Sequence, residues 1–498
     1  MRSLRLKLFV VVFSMRVFCF ASVDVQAQDS IHYSFELQDI IDMAVEKSSA
    51  VKYAQNRNQN YYWRYRNFKT KYRPQLVLSG MLPDYTKSTQ GIVQPDGSIE
   101  FKQVSNLSTS ARLALNQSIP LTGTYIYAST SADRFQDFNK NTIDFSGSPF
   151  SIGFYQPIFA VNWMKWQQKT EPLVYDEAQK YFIQSIEEIA LNTTYRFFRY
   201  LMVQTNYKLA ESNLKNSNNN LKIAQTKKEL GKISDNDYAR NELAVLNAQK
   251  SLNQAQMALK NADFELKSYV GISQEQKIEL KMPLDITLFK IDKETALLEA
   301  KANRKEGSEY ERRLIEADRN LLVAKRNNGL SATLQGSYGL SKGAETMYGV
   351  YDDPERQQTL RLEVSVPILD WGKSASAVKL AESQRDLVIF DVEKDRIDFE
   401  RSVVVQVEQF GLMKDQLTTA KQADKVAESG YQIALKLFQN GEISITDLNI
   451  ALSERENAKR DYISSLQTYW EAYYRLRILT LFDFNMNQKI SYTNPLSE

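Results

Sequence analysis

The chain has 498 residues, 43% hydrophobic and 25% charged, with 63 basic against 60 acidic side chains. That near-neutral balance does not favour nucleic acid as a partner. A single cysteine, Cys19, and a single histidine, His32, exclude a disulfide framework, a thiolate cluster and a histidine-based metal site, so no metal and no cofactor is expected.

The first segment, residues 1–27, has the form of a secretory signal peptide. Arg2, Arg5 and Lys7 precede a mostly apolar run from Leu8 to Val23, and Val25-Gln26-Ala27 offers a small-residue cleavage site. Val17-Phe18-Cys19 lacks the small residues of a lipoprotein box, so no lipid anchor is expected at Cys19. Cleavage after Ala27 leaves 59 basic and 59 acidic residues and no cysteine. The remainder contains no run of about 20 apolar residues, the length of a membrane helix. A β-barrel, whose strands alternate apolar and polar residues, stays open as a way across a membrane.

Residues 35–72 predict a helix, with Leu37, Ile40, Ile41, Ala44, Val45 and Val51 on its apolar stripe, Ser34 as its cap and Pro74 beyond its end. The period then shortens to two. Pro74–Leu82, Ser148–Ile158, Leu330–Leu340 and Thr359–Val366 alternate apolar and polar residues and read as strands with one apolar face. A soluble sheet with one buried face shares this pattern. The export signal, and Arg361 and Glu363 on the polar face of the last strand, favour a membrane barrel. Leu107–Ile119 and Thr124–Ser131 also alternate, across the turn Pro120-Leu121-Thr122-Gly123. This additional hairpin either joins the barrel or folds outside it.

Long helices follow at 163–230 and 374–440, each about 100 Å at 1.5 Å per residue. Shorter helices lie at 235–270, 293–328 and 445–481. The helix before each strand pair and the one after each tip are expected to stack end to end beside the long helix. Ala244, Ala248, Ser251, Ala255, Ala258 and Ala262 form a small-residue seam suited to close helix packing.

Much of the chain occurs twice. Gly231-Lys232-Ile233-Ser234-Asp235-Asn236-Asp237-Tyr238 matches Gly441-Glu442-Ile443-Ser444-Ile445-Thr446-Asp447-Leu448 at an offset of 210 residues. Pro157-Ile158-Phe159 matches Pro367-Ile368-Leu369 at the same offset. An offset held over such a distance signals an internal duplication. The first strands of the two copies, at Pro74 and Leu330, lie 256 apart, so the first copy carries a 46-residue insert, which holds the additional hairpin. The segments are therefore 1–27, signal peptide; 28–271, first repeat; 272–291, linker; 292–484, second repeat; and 485–498, a polar, loose tail. Each tip has a glycine suited to a helix C-cap, followed by a serine or aspartate suited to an N-cap.

These ordered, duplicated elements resemble the TolC-like outer-membrane efflux proteins over nearly all of the mature chain. The elements are the Leu37…Ile41…Ala44-Val45 helix, the junctions at Pro157 and Pro367, Asp370-Trp371-Gly372, and the tips Gly231…Asp237 and Gly441…Asp447-Leu448. Asp370 and Gly372 fit the family's Asp-x-Gly, whereas Ala160-Val161-Asn162 departs from it at the first junction. The resemblance implies an α+β membrane protein, an outer-membrane β-barrel continuous with a periplasmic α-helical barrel. It implies a homotrimer, a periplasmic adaptor and an inner-membrane transporter as partners, and a passive duct rather than an enzyme. It also implies tips that close the periplasmic end and meet the adaptor through Gly231, Ile233, Ser234, Gly441, Ile443 and Ser444. Asp235, Asp237 and Asp447 could there form acidic rings that attract cations. Asp235 or Asp237 could instead cap the following helix, while at Asp447 the neighbouring Ser444 and Thr446 could do the capping. The cargo stays open between small molecules and, in a type I secretion system, protein. A secreted coiled-coil structural protein is the rival from another class. It accounts for the helices but not for strand pairs at equivalent points of both repeats.

Overall fold

The computed structural model describes residues 33–283, 288–440 and 442–494. The signal peptide, Cys19, His32, part of the 272–291 linker and Gly441 therefore lie outside the described residues. In chain order the elements are β1 (Tyr33–Phe35), α1 (Leu37–Lys47), α2 (Ser49–Lys71), β2 (Gln75–Val93), β3 (Ile99–Ile119), β4 (Thr124–Asp137) and β5 (Thr142–Ile158). Then come α3 (Trp163–Glu229), α4 (Asp235–Val270), β6 (Ile278–Leu280), α5 (Lys293–Asn303), α6 (Glu306–Asn327), β7 (Ser331–Ala344) and β8 (Glu355–Ser365). The chain closes with α7 (Lys373–Asn440), α8 (Ile445–Thr480), β9 (Phe482–Asp483) and β10 (Gln488–Lys489).

Two expected helices are each broken once. The first splits at Ser48, whose hydroxyl accepts the Val51 N–H at 3.1 Å and restarts the chain as α2. Its beginning is also corrected: Ser34 lies in β1, and Glu36 caps α1 through a reciprocal box with Asp39. The expected helix 293–328 splits at the extended residue Arg304. The breaks bring the stacked ends together. Gly271, which ends α4 at φ +88°, abuts the backbone of Lys47 beside the start of α2. Arg304 donates to the Ile478 carbonyl at 2.6 Å, which seats α6 on the end of α8.

The strands form one antiparallel sheet in the order β2-β3-β4-β5-β7-β8. Directly paired residues share a face, so the register can be followed across all six strands. One row runs Leu76, Leu115, Ala128, Ile152, Tyr338, Gln358; the next runs Gln75, Asn116, Tyr127, Gly153, Ser337, Thr359. The first face also holds Leu78, Leu113, Phe154, Leu360, Leu362 and Val364, and the second holds Ser129, Ser151, Arg361 and Glu363. Leu78, Leu360 and Leu362 are 73%, 76% and 60% exposed. An apolar band this open, backed by a polar face, is the pattern of a sheet with lipid on one side and water on the other. The pairing of β2 with β3 continues to Val93 and Ile99, well past the last β3–β4 pair at Asn106 and Asp137.

The core lies at the middle of the helical part. Ile40, Ile186, Phe197, Phe198, Leu266, Phe410, Ile463, Leu466 and Leu476 are fully buried where α1, α3, α4, α7 and α8 converge. Each such side chain contributes about 1.5–3 kcal/mol relative to exposure. The linker is fastened to this layer. β6 pairs in parallel with β1, and Gln204 clasps Leu280 from both sides, donating to its carbonyl at 3.0 Å and accepting its N–H at 3.1 Å.

The described part of the C-terminal tail is not loose. Ile490 and Asn494 are buried, Tyr492 donates to Glu187 at 2.7 Å, and the Asn494 amide donates to the Gln55 carbonyl at 3.2 Å. Its polar composition hides this, because its side chains find their partners in distant helices.

Candidate functional site

The two helix tips share one closing bond and one cap among the described residues. At the first, Gly231 at φ +64° donates to the Lys228 carbonyl and Lys232 donates back to Lys227 at 2.8 Å, the pair of bonds that closes a helix end on glycine. At the second, Glu442 donates to Leu437 at 2.9 Å, the equivalent bond 210 residues on. Ser234 then caps α4 and Ser444 caps α8 with nearly identical backbone angles. Ile233 and Ile443, one residue earlier, are half-buried.

The three tip aspartates are exposed, and each has a partner within its own protomer. The Ser234 hydroxyl donates to the Asp237 carboxylate at 2.7 Å and accepts the Asp237 N–H at 3.1 Å. Ser444 and Asp447 do the same at 2.6 Å and 3.3 Å. Both aspartates thus complete capping boxes. Asp447 is not relieved of capping by Ser444, since the two residues act as one unit. Asp235 pairs with Lys228 at 2.8 Å. The Ser234 and Ser444 bonds hold the Asp237 and Asp447 carboxyls below the usual aspartate range, and the Lys228 ammonium does the same for Asp235.

The tips differ in what surrounds this shared frame. Lys228 also sits 4.5 Å over the Tyr238 ring, so the first tip is ionic and aromatic. The equivalent positions in the second copy are Phe438, Ile445 and Leu448, and Leu448 is buried. The sequence alignment of the two copies contains this contrast, but it becomes a feature only when Lys228 is seen to meet both Asp235 and Tyr238.

The junctions turn each strand sharply into a long helix. After Pro157, Phe159 takes φ +66°; after Pro367, Trp371 and Gly372 take φ +54° and +86°. Asp370 accepts from the Gly372 N–H at 3.0 Å, from the Ser374 N–H at 2.9 Å and from the Ser374 hydroxyl, and these bonds hold its carboxyl below the usual range. Asn162 does the capping at the first junction, accepting the Lys165 N–H at 3.1 Å. Its amide also donates to the Pro120 carbonyl at 2.7 Å, in the turn of the additional hairpin. A carboxylate could make the first bond but not the second, because it has no donor. Ala160, which aligns with Asp370, has no capping group, and Asn162, which aligns with Gly372, takes over the cap at the first junction.

The aromatic residues near the junctions divide between packing and exposure. Tyr65 stacks on Tyr175 with ring centroids 4.8 Å apart, while Trp63 and Trp163 are about half exposed. No helix among the described residues is long and apolar enough to cross a membrane.

Residues 296–480 match the family profile described as Outer membrane efflux protein. No curated protein matches the chain. Among solved structures the chain is similar to the CmeC outer membrane channel of Campylobacter jejuni, with 14% identity, a TM-score of 0.64, and 92% of this chain and 87% of that one covered. It is also similar to a membrane protein from Pseudomonas aeruginosa, with 14% identity, a TM-score of 0.63 and 92% of both chains covered. The outer membrane protein VceC of Vibrio cholerae gives 12% identity and a TM-score of 0.60, over 91% of this chain and 97% of that one.

Proposed function

We infer that this chain, an outer membrane efflux protein by its residues 296–480 and by a TolC-like fold over nine-tenths of its length, is the outer-membrane duct of a tripartite efflux system. It is a channel and not an enzyme. Its strands lie in the outer membrane and its helices extend into the periplasm, where an adaptor and an inner-membrane pump deliver cargo. Three copies close the duct.

The observation that carries this reading is that the described residues of the protomer leave two open flanks and enclose no pore of their own. Among the described residues, β2 and β8 each have one unpaired edge at the two ends of the sheet. Around the helices, the order is α2, α3, α6, α7 near the sheet and α4, α3, α8, α7 near the tips, so the flanks are α2 with α4 on one side and α7 on the other. Exposed apolar residues recur on α7 at seven-residue steps, Leu380 to Leu387, Phe390 to Ile397, and Val426 to Ile433. On α4, Leu243, Met257 and Phe264 follow the same step or its double. Seven-residue apolar spacing marks a coiled-coil seam, and these seams are met when α7 of one copy lies against the α2–α4 flank of the next.

At the far end, Asp235, Asp237 and Asp447 of three copies line the periplasmic aperture and attract cations, while Gly231, Ile233, Ser234, Gly441, Ile443 and Ser444 form the surface met by the adaptor. Acidic rings of this kind select cations. The test of the duct is the mass of the detergent-extracted particle from outer membranes, corrected for bound detergent. About three protomer masses is expected; a soluble periplasmic monomer or dimer would overturn the reading in favour of a coiled-coil structural protein.

A further inference from the structure

The 46-residue insert adds two strands to the protomer's sheet. The second repeat supplies two strands, β7 and β8, and the first supplies four. Without its insert the duplicated plan would give four strands per protomer and twelve in a ring of three. We propose that the assembled barrel instead has eighteen strands, with the inserted hairpin in its wall, and that it is as wide as the helical duct below it. This rests on the three-copy reading above.

Three observations carry it. The first is that the hairpin is built into the sheet rather than laid upon it. β3 and β4 pair without a break from Asn106–Asp137 to Ile119–Thr124, and both rows of the sheet pass through them, apolar on one face and polar on the other. The turn is tied to the elements on either side. Gln117 donates to the Tyr72 carbonyl at 2.8 Å, Gln156 donates to the Thr122 carbonyl at 3.3 Å, and Asn162 donates to Pro120.

The second is direction. Six antiparallel strands make the first and last run oppositely, so β8 of one copy can pair antiparallel with β2 of the next. Leu360 and Leu362 then continue the apolar band onto Leu76 and Leu78. Closure leaves no exposed edge, which a membrane barrel requires.

The third is width. Four helices side by side at about 9–10 Å span roughly 36–40 Å of circumference. Six strands about 4.8 Å apart and tilted by about 40° span roughly 38 Å, whereas four would span roughly 25 Å. The insert thus removes the taper that two equal repeats would impose. Barrels of this strand number enclose an aqueous channel, and this one would be lined by Arg112, Ser129, Ser151 and Arg361. Selection by size then falls to the helix tips.

The experiment places a fluorophore on single cysteines, Leu113→Cys on β3, Ile126→Cys on β4 and Ser129→Cys on β4, in particles reconstituted into vesicles. The expected result is loss of fluorescence to a nitroxide-labelled lipid at 113 and 126 and to aqueous iodide at 129. Iodide quenching at all three positions in particles of three-protomer mass would overturn the eighteen-strand barrel and leave the duct standing. A mass other than three protomers would overturn the duct itself. If the cysteine variants fail to assemble, electron cryo-microscopy of the unaltered particle counts the strands directly: eighteen supports the proposal and twelve sinks it.

Discussion

Arg477 of the second repeat donates to Glu187 of the first through Nε at 2.7 Å and Nη2 at 2.8 Å. Glu187 is completely buried in α3, and Tyr492 from the C-terminal segment donates to the same carboxylate. Arg477 reaches Asp483 at 2.6 Å as well, and Asp483 accepts from Tyr473. The Glu187 bonds raise the guanidinium's pKa against the opposing effect of burial. One fork therefore ties both repeats and the tail together at mid-height.

Breaking this fork on one side leaves a charge without its partner in the interior. Arg477→Met is expected to destabilise the protein by about 3–5 kcal/mol, the scale for orphaning a buried ion. The double variant Glu187→Gln with Arg477→Met should recover part of the loss. Thermal denaturation of the detergent-extracted particle measures both; equal losses in the single and double variants would contradict the pairing.

The glycines that end α3 and α4 should respond differently to one added methyl. At Gly231 a Cβ would meet nothing within 4 Å, so Gly231→Ala carries only the left-handed backbone cost of about 1–2 kcal/mol. At Gly271 the new Cβ would lie 3.2 Å from the Lys47 carbonyl oxygen in addition, so Gly271→Ala is expected to be the more destabilising. Melting temperatures of the two variants give the comparison.

The sheet's two faces predict opposite tolerance for charge. Ile152→Arg puts a guanidinium on the apolar row and should cost about 2–4 kcal/mol near the bilayer midplane. Ser151→Arg, one residue away on the polar face, should assemble normally. The yield of assembled particle in the outer membrane separates them.

Acid should loosen the helix starts. The Asp237, Asp292, Asp370 and Asp447 carboxyls are held below the ordinary value by hydrogen bonds from Ser234, Thr295, Ser374 and Ser444. A depressed folded-state pKa gives stability that is present above the unfolded value, near 3.9, and is lost as pH falls through the folded one. Melting temperature should thus decline below about pH 4, and Asp370→Asn should flatten that decline. If the tip aspartates form the proposed acidic ring, Asp237→Asn with Asp447→Asn lowers cation selectivity in single-channel recordings; unchanged selectivity would remove that proposal.

The periodicities determined the order of long helices and strands, and residue matches at a fixed offset determined the duplication at 210 residues and the four-strand plus insert plan. Helix starts at 163, 235 and 445 agree with the structure because caps and periodic stripes are local, encoded within a few residues of where they act. Only the tertiary structure decided that the hairpin at 107–131 belongs to the sheet, because strand order depends on partners far apart in sequence. It likewise decided that Asp447 and Ser444 form one cap, that Asn162 serves two elements at once, and that a polar tail is held by Glu187 and Gln55. In each case the deciding bond joins groups whose types are visible in the sequence but whose meeting depends on how the whole chain packs.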